Sequence, residues 1–359
     1  MNSARVFLAL AGLAVLFAVT QGAGGQQLAA ASQPAATPDL VILDTDIGDD
    51  IDDAFALALA LRSPELKLIG ITTAYGDTEL RANLVDRYLV EVGRSDIPVD
   101  IGVPTPHTNV FTQAAYAKPK LSLMVRCALQ SASESQVPTP QPEKDRYEVC
   151  KKDRYDGVGF LLRNAKEHPG EITLIAIGPL FNIQAAIERD PAAFRKLKRV
   201  VMMGGSIYRG YDGQKGERRP PDAEWNIDRD PAGLKALLAS GVPIYMMPLD
   251  STQIHLEAPE REQIFAHGSP LTDQLTLLYH QWMAGSEGHS PAPTLFDPVA
   301  VAYAVRPELC PMTAMRIEVD EKGFTRPVAG EPNVQVCLQS DEKGFLGLLL
   351  GRIAGQAGR

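Results

Sequence analysis

Six of the ten residues from Asp44 to Asp53 are aspartates, in the order Asp44-Thr-Asp46-Ile-Gly48-Asp49-Asp50-Ile-Asp52-Asp53. Two carboxylates about 4 Å apart repel by roughly 4 kcal/mol at an effective dielectric near 20. So many on one short turn need protons or a cation to hold them together. Carboxylate oxygens suit hard divalent ions, so calcium or magnesium is the expected partner. The spacing disfavours an EF-hand. Its glycine comes one ligand position too early, and an apolar strand-like run, Val41-Ile-Leu43, stands where a helix would be. The run Ala54 to Leu61 that follows reads as a helix. A merely solvated acidic turn would not normally sit between a buried strand and an apolar helix.

The elements that must position this turn alternate. Leu66–Thr73 reads as a strand, Glu79–Val92 has helical spacing, and Ile97–Ile101 is a further short strand. After a polar, proline-containing stretch at 104–156, a helix is expected over Gly157–His168 and strands over Glu171–Ile177, Leu197–Met203 and Val242–Pro248. Helices are expected over Pro231–Ser240, Pro259–His267 and Leu271–Met283, and from Pro298 through Ala304. Met315 to Val336 reads as β-strands, and a last helix lies near Phe345–Ile353. This rhythm predicts an α/β fold: an open, mostly parallel, Rossmann-like sheet with helices on both faces. In such sheets ligands bind beyond the carboxyl ends of the strands. The turns at Asp44–Asp53, Gly76-Asp77, Ile177-Gly178, Met203-Gly204-Gly205 and Leu249-Asp250 would then share one rim. Glu224-Trp225-Asn226 and Phe296-Asp297 add polar groups beside aromatics. Together they outline a metal site with a polar pocket and an aromatic wall, suited to a sugar that bears a flat group.

The 359 residues carry a formal charge of −9, which argues against binding a nucleic-acid polymer. Arg5 followed by the apolar run Val6–Val19 and small residues reads as a signal peptide over 1–23, short for a membrane span. Cleavage after Gly22 or Ala23, or near Ala31, fits equally well. A flexible lead-in at 24–38 and a single domain over 39–355 follow, with 104–156 as a surface insertion. No cysteine near the leader offers a lipid anchor. The expected location is therefore periplasmic or secreted, with no membrane anchor after cleavage. Export permits disulfides. Proximity pairs Cys127 with Cys150 and Cys310 with Cys337, each loop contributing about 3 kcal/mol on an entropy argument.

The opening motif, Asp44-Thr-Asp46-Ile-Gly48-Asp49-Asp50-Ile-Asp52-Asp53-Ala54, resembles the signature of the inosine/uridine-preferring nucleoside hydrolase family. Supporting matches follow in order: Thr173 to Ile183, Val201-Met-Met203-Gly204-Gly205, Glu224-Trp-Asn226 and Asp297-Pro-Val-Ala-Val-Ala-Tyr303. The resemblance covers about residues 40–305. It implies a calcium-dependent N-glycosidase that hydrolyses ribonucleosides to base and ribose. Carried over by position, Asp46, Asp53, Asp297 and the Ile177 carbonyl would hold Ca2+, and Asp46 would also take a proton from the attacking water. Asp52, Glu224 and Asn226 would bind ribose hydroxyls, with Met203 lining the sugar pocket. A homodimer or homotetramer is the family habit. Two other readings share the scaffold: a non-catalytic periplasmic nucleoside- or sugar-binding protein, and a hydrolase of another ribosyl compound such as nicotinamide riboside.

The chain departs from the family pattern at informative places. Two extra residues separate Gly48 from the aspartate pair, so Asp49 and Asp50 are assigned to a lengthened turn outside the metal, as solvated or helix-terminal charges, and Asp44 to a brace behind it. Gly76-Asp77 replaces a common Gly-Asn, leaving Asp77 as a candidate for a ribose hydroxyl. Phe296 stands where many members place a histidine near the base, and it can stack but cannot donate a proton. His107 and His289 are the substitutes within reach in sequence. Trp225, Tyr208, Tyr279 and Trp282 are the aromatics that could stack on a base.

Overall fold

The computed structural model describes residues 37–107, 110–117, 156–213, 217–285 and 290–355. The leader, the Cys127–Cys150 pairing, most of the insertion at 104–156, and His289 lie outside these residues.

Among the described residues, nine strands form one sheet. They are β1 (Asp39–Thr45), β2 (Leu66–Thr73), β3 (Val99–Ile101), β4 (Ile172–Ala176), β5 (Arg199–Met203), β6 (Ile244–Met247), β7 (Met312–Val319), β8 (Thr325–Val328) and β9 (Val334–Cys337). Their spatial order is β3-β2-β1-β4-β5-β6-β9-β7-β8. The first six strands and β9 run parallel, and β7 pairs antiparallel with β9 and β8. The α/β, mostly parallel arrangement read from the sequence is thus the one observed, with the C-terminal strands closing one edge. The chain leaves β1 in one direction, toward β3, and returns to add β4 on the other side. That reversal opens a crevice at the carboxyl ends of β1 and β4, where such sheets bind ligands.

β1 shows why the sheet is buried on both faces. Val41 and Leu43 belong to one apolar cluster and Ile42 to the other, and all three are inaccessible. Alternation along the strand sends successive side chains to opposite layers. One layer contains the helices Asp52–Leu61, Thr78–Glu91, Pro270–Gly285, Pro298–Val305 and Glu342–Ile353. The other contains Gly157–Glu167, Phe181–Arg189 and Pro231–Ala239.

The helix Asp52–Leu61 is buried from Asp52 to Ala60. Its alternating Ala54, Ala56, Ala58 and Ala60 keep it slim, so that Pro298–Val305, with Ala300, Ala302 and Ala304, packs against it. The N-termini of both helices therefore meet beside the end of β1. Among the described residues, no helix is long and apolar enough to cross a membrane.

Cys310 and Cys337 are bonded, across a separation of 27 residues, as sequence proximity suggested. The bond ties the turn after Pro298–Val305 to the end of β9. Replacing both cysteines with alanine should lower stability by about 3 kcal/mol through the freed loop. Urea denaturation of wild type and the double variant, followed by circular dichroism, measures the difference.

Candidate active site

The acidic turn starts where β1 stops. Asp44, the penultimate residue of that strand, is buried, and its Oδ1 accepts hydrogen bonds from Thr72 Oγ1 and from Asn182 Nδ2, the latter at 2.6 Å. It therefore ties β1 to β2 and to the helix after β4, which is the bracing role expected of it. Thr45 Oγ1 donates to Asp53 Oδ1 and accepts from the Ile47 amide at 3.1 Å. Gly48 has φ +128, and a Cβ there would lie 2.0 Å from the Phe111 ring. Only glycine fits that position without moving the ring.

Arg81, wholly buried on the helix Thr78–Glu91, holds the turn from behind. Its Nε donates to Tyr75 O (2.8 Å), its Nη1 to the carbonyls of Asp46 and of Ile47 (3.0 Å), and its Nη2 to Asp49 Oδ2 (2.8 Å). The segment 110–117 covers the next carbonyls. Gln113 donates through its amide to Gly48 O and through Nε2 to Asp50 O, and Thr112 Oγ1 donates to Asp49 O. Each carbonyl from Asp46 to Asp50 thus has a donor, so the turn has little freedom to move.

On this fixed loop the carboxylates converge. Asp52 and Asp53 sit in the first turn of their helix, and Asp297 directly precedes Pro298–Val305. Oxygen atoms of these three lie within 4.8 Å of one another, and all three residues are buried. The Asp297 amide donates to Asp52 Oδ2 at 3.4 Å. Asp46 faces the same cavity, as does Ile177, which follows β4. A Cβ on Gly178 would come within 2.7 Å of Asp46 Oδ1, so glycine is what allows the Ile177 turn and the Asp46 carboxylate to share this space.

Burial first, and then the neighbouring carboxylates, hold Asp52, Asp53 and Asp297 well above the usual carboxylate range. Burial pushes Asp46 up to about 7 against the pull of Arg81. Helix N-termini offset about 2 kcal/mol per charge even in favourable partly buried geometries, too little against several pairwise repulsions of roughly 4 kcal/mol. The donor set, buried carboxylate oxygens beside a backbone carbonyl, fits a hard divalent cation.

A cavity of about 550 Å³ opens above these groups. Glu224 and Asn226 line it with the aspartates as polar groups, and Met203 at the end of β5 adds an apolar one. Glu224 accepts from the amides of Asn226 (3.0 Å) and Gly205 (2.9 Å), and burial raises it to about 7. Asn226 Nδ2 points at the carbonyls of Ile177 and Met203, both at 3.3 Å, which leaves its carboxamide oxygen to accept. Phe296, Tyr211, Trp225 and Trp282 supply the aromatic wall.

Asp46, Asp52, Asp53, Ile177, Met203, Glu224, Asn226, Phe296 and Asp297, all singled out in the sequence, are thus brought together. Asp77 is not. It is exposed and outside the cavity, and its carboxylate caps the helix Thr78–Glu91 by accepting from the Leu80 amide at 2.9 Å. Its place beside a strand end suggested the site, but the cap turns the side chain away. Asp49 is not merely solvated either, since it pairs with Arg81, and both Asp49 and Asp50 border the cavity. His107 is exposed and packs edge-on to Tyr75 outside the cavity lining. Tyr208 is exposed, and Tyr279 is in the core with its hydroxyl on Pro291 O. Arg81 and Tyr211 went unnoticed in the sequence. One looks like any polar residue of a helix, and the other lies in a charged, Gly/Pro-rich loop.

The family model for inosine-uridine preferring nucleoside hydrolases matches residues 41–347. The pyrimidine-specific ribonucleoside hydrolase RihA of Citrobacter koseri is 30% identical over 340 residues, covering 88% of this chain and 97% of its own. Uridine nucleosidase 1 of Arabidopsis thaliana is 29% identical over 291 residues, 79% of each chain. Among solved structures, the plant nucleoside hydrolase PpNRh1 superimposes with a TM-score of 0.70 at 26% identity, covering 89% of this chain and 99% of that one. A purine-preferring ribonucleoside hydrolase from Gardnerella vaginalis shares the fold, with a TM-score of 0.68 at 24% identity, over 88% and 98% of the two chains.

Two outcomes follow from the geometry. Arg81→Met removes the donors of several buried carbonyls and of Asp49, and should cost about 3 kcal/mol or more. Asp49→Asn, at a partly exposed partner, should cost less; denaturant midpoints of the two variants test the order. The raised carboxylates also set a pH dependence. With folded pKa values above the unfolded 3.8, the folded state without a cation binds more protons between about pH 4 and 7. In chelator, stability should fall as pH rises through that window, and a divalent cation at pH 7.5 should restore it. Thermal melts from pH 5 to 8, with and without cation, measure this.

Proposed function

Because the chain belongs to the inosine-uridine preferring nucleoside hydrolase family, we propose that it is an exported, calcium-dependent N-glycosidase that hydrolyses ribonucleosides to free base and ribose. The observation that carries the reading is the buried cluster of Asp52, Asp53 and Asp297 facing a cavity with Glu224 and Asn226 on its floor. In this reading Asp46, Asp53, Asp297 and the Ile177 carbonyl hold Ca2+, with the Asp52 carboxylate close beside them. When bound, the cation would offset the crowded negative charge, polarise water and grip sugar hydroxyls.

The chain's own residues account for the rest. Asp46 is the general base that takes a proton from the attacking water. Asp52, Glu224 and the Asn226 carboxamide oxygen accept hydrogen bonds from ribose hydroxyls, and Met203 lies against the sugar. As the bond to the base breaks, positive charge grows on the ribose ring, and the surrounding carboxylates favour that charge. Burial keeps water from screening them. Phe296, Trp225 and Trp282 provide flat surfaces for a base.

Export rests on the leader-like run Val6–Val19 and on the Cys310–Cys337 bond, which suits an oxidising compartment. The substrate is a small nucleoside, and a homodimer or homotetramer is the proposed assembly.

A panel of ribonucleosides, with release of reducing sugar as the readout, tests the activity. Hydrolysis should be abolished by chelator and restored by Ca2+. Asp46→Asn should lower kcat roughly 10²- to 10⁴-fold while leaving the melting curve that of a folded protein. A near-wild-type rate in that variant would remove Asp46 from its role. Tight nucleoside binding without turnover in the wild type would instead indicate a binding protein.

A further inference from the structure

Tyr211 lies on the loop between β5 and Glu224, and this loop is built to hold it still. Arg209 pairs with Asp212, and Gly210 N donates to Arg219 O at 3.0 Å. The buried Gln253 bridges the two neighbours of the tyrosine, donating to Gly210 O (3.0 Å) and accepting from the Asp212 amide (2.6 Å). The ring meets Phe296 edge to face at 6.0 Å between centroids. The hydroxyl accepts a hydrogen bond from the Trp225 amide at 2.8 Å. A phenol has one proton to donate, and this one has no acceptor among the described residues. The side chain borders the cavity, so this proton is available to a group bound there. The hydroxyl is bonded to the residue that directly follows Glu224, and Tyr211 and Glu224 line the same cavity. Burial, and after it the Glu224 carboxylate, raises the phenol above its ordinary range.

We propose that Tyr211 is a specificity-determining residue of the sugar subsite, donating a hydrogen bond to the same ribose hydroxyl from which Glu224 accepts one. A hydroxyl between one acceptor and one donor is satisfied on both counts, whereas a sugar lacking it leaves the phenol proton without its acceptor and the Glu224 carboxylate one donor short. The Phe296 contact puts the same ring at the boundary between sugar and base. This assignment rests on the nucleoside hydrolase reading of the site.

The test uses Tyr211→Phe, which keeps the ring and its packing on Phe296, assayed on a ribonucleoside and its 2′-, 3′- and 5′-deoxy analogues. With the ribonucleoside, kcat/KM should fall roughly 10- to 100-fold. For one analogue, the one lacking the shared hydroxyl, the variant's loss should be much smaller than for the others. Loss of the Trp225 contact alone would lower activity on every analogue alike, and that result, or no loss on the ribonucleoside, would overturn the proposal. If the wild type hydrolyses none of them, the proposed function fails separately. Calorimetric dissociation constants for the same four compounds then give the same comparison.

Discussion

Mutual repulsion among buried carboxylates is the constraint on which the rest of the structure turns. Asp46, Asp52, Asp53 and Asp297 stand at one end of the sheet with little water to screen them. No chain would hold them there on local preference alone. Their backbone positions are imposed by neighbours whose own energetics are favourable. The apolar faces of β1 and of the helix Asp52–Leu61 are buried, Pro298–Val305 packs on that helix, and Arg81, Thr112 and Gln113 satisfy the carbonyls of the connecting turn. Favourable packing elsewhere thus sustains an unfavourable local charge density. The same density makes the site receptive to a cation and to a substrate that becomes positively charged as it reacts.

The sheet topology explains why these residues can meet at all. Asp46 and Asp53 are near in sequence, but Ile177, Glu224 and Asp297 come from far along the chain. Parallel strands joined through helices return every carboxyl end to one rim. The reversal between β1 and β4 then parts the connections and leaves room above the rim. Gly178 is a small but necessary part of that arrangement, since a side chain there would displace Asp46.

Much of this was legible in the residues themselves. The density of aspartates demanded compensation, the alternation of strand and helix indicated a parallel sheet, and the polar turns at strand ends marked one rim. Asp77 shows where that reasoning stops. It is an acidic residue after a strand end, like Asp46, yet it caps a helix instead of facing the cavity. Asp49 is another case, because its partner Arg81 lies 32 residues further on and nothing in the local pattern singles it out. Tyr211 was hidden for a similar reason. Its loop has no periodicity to read, and its bonds run to Trp225 and, through its neighbours, to Gln253.

By itself the sequence determined that this protein carries a cation-demanding turn on an α/β scaffold, because strand and helix periods and the chemistry of carboxylates are local properties. Which carboxylates meet, the bracing of the turn by Arg81 and the place of Tyr211 beside Phe296 at the cavity emerge only in the folded chain. Those choices depend on distances across the sheet rim and on the direction of each side chain. Both are set by packing between segments far apart in the chain, and no short stretch of residues encodes them.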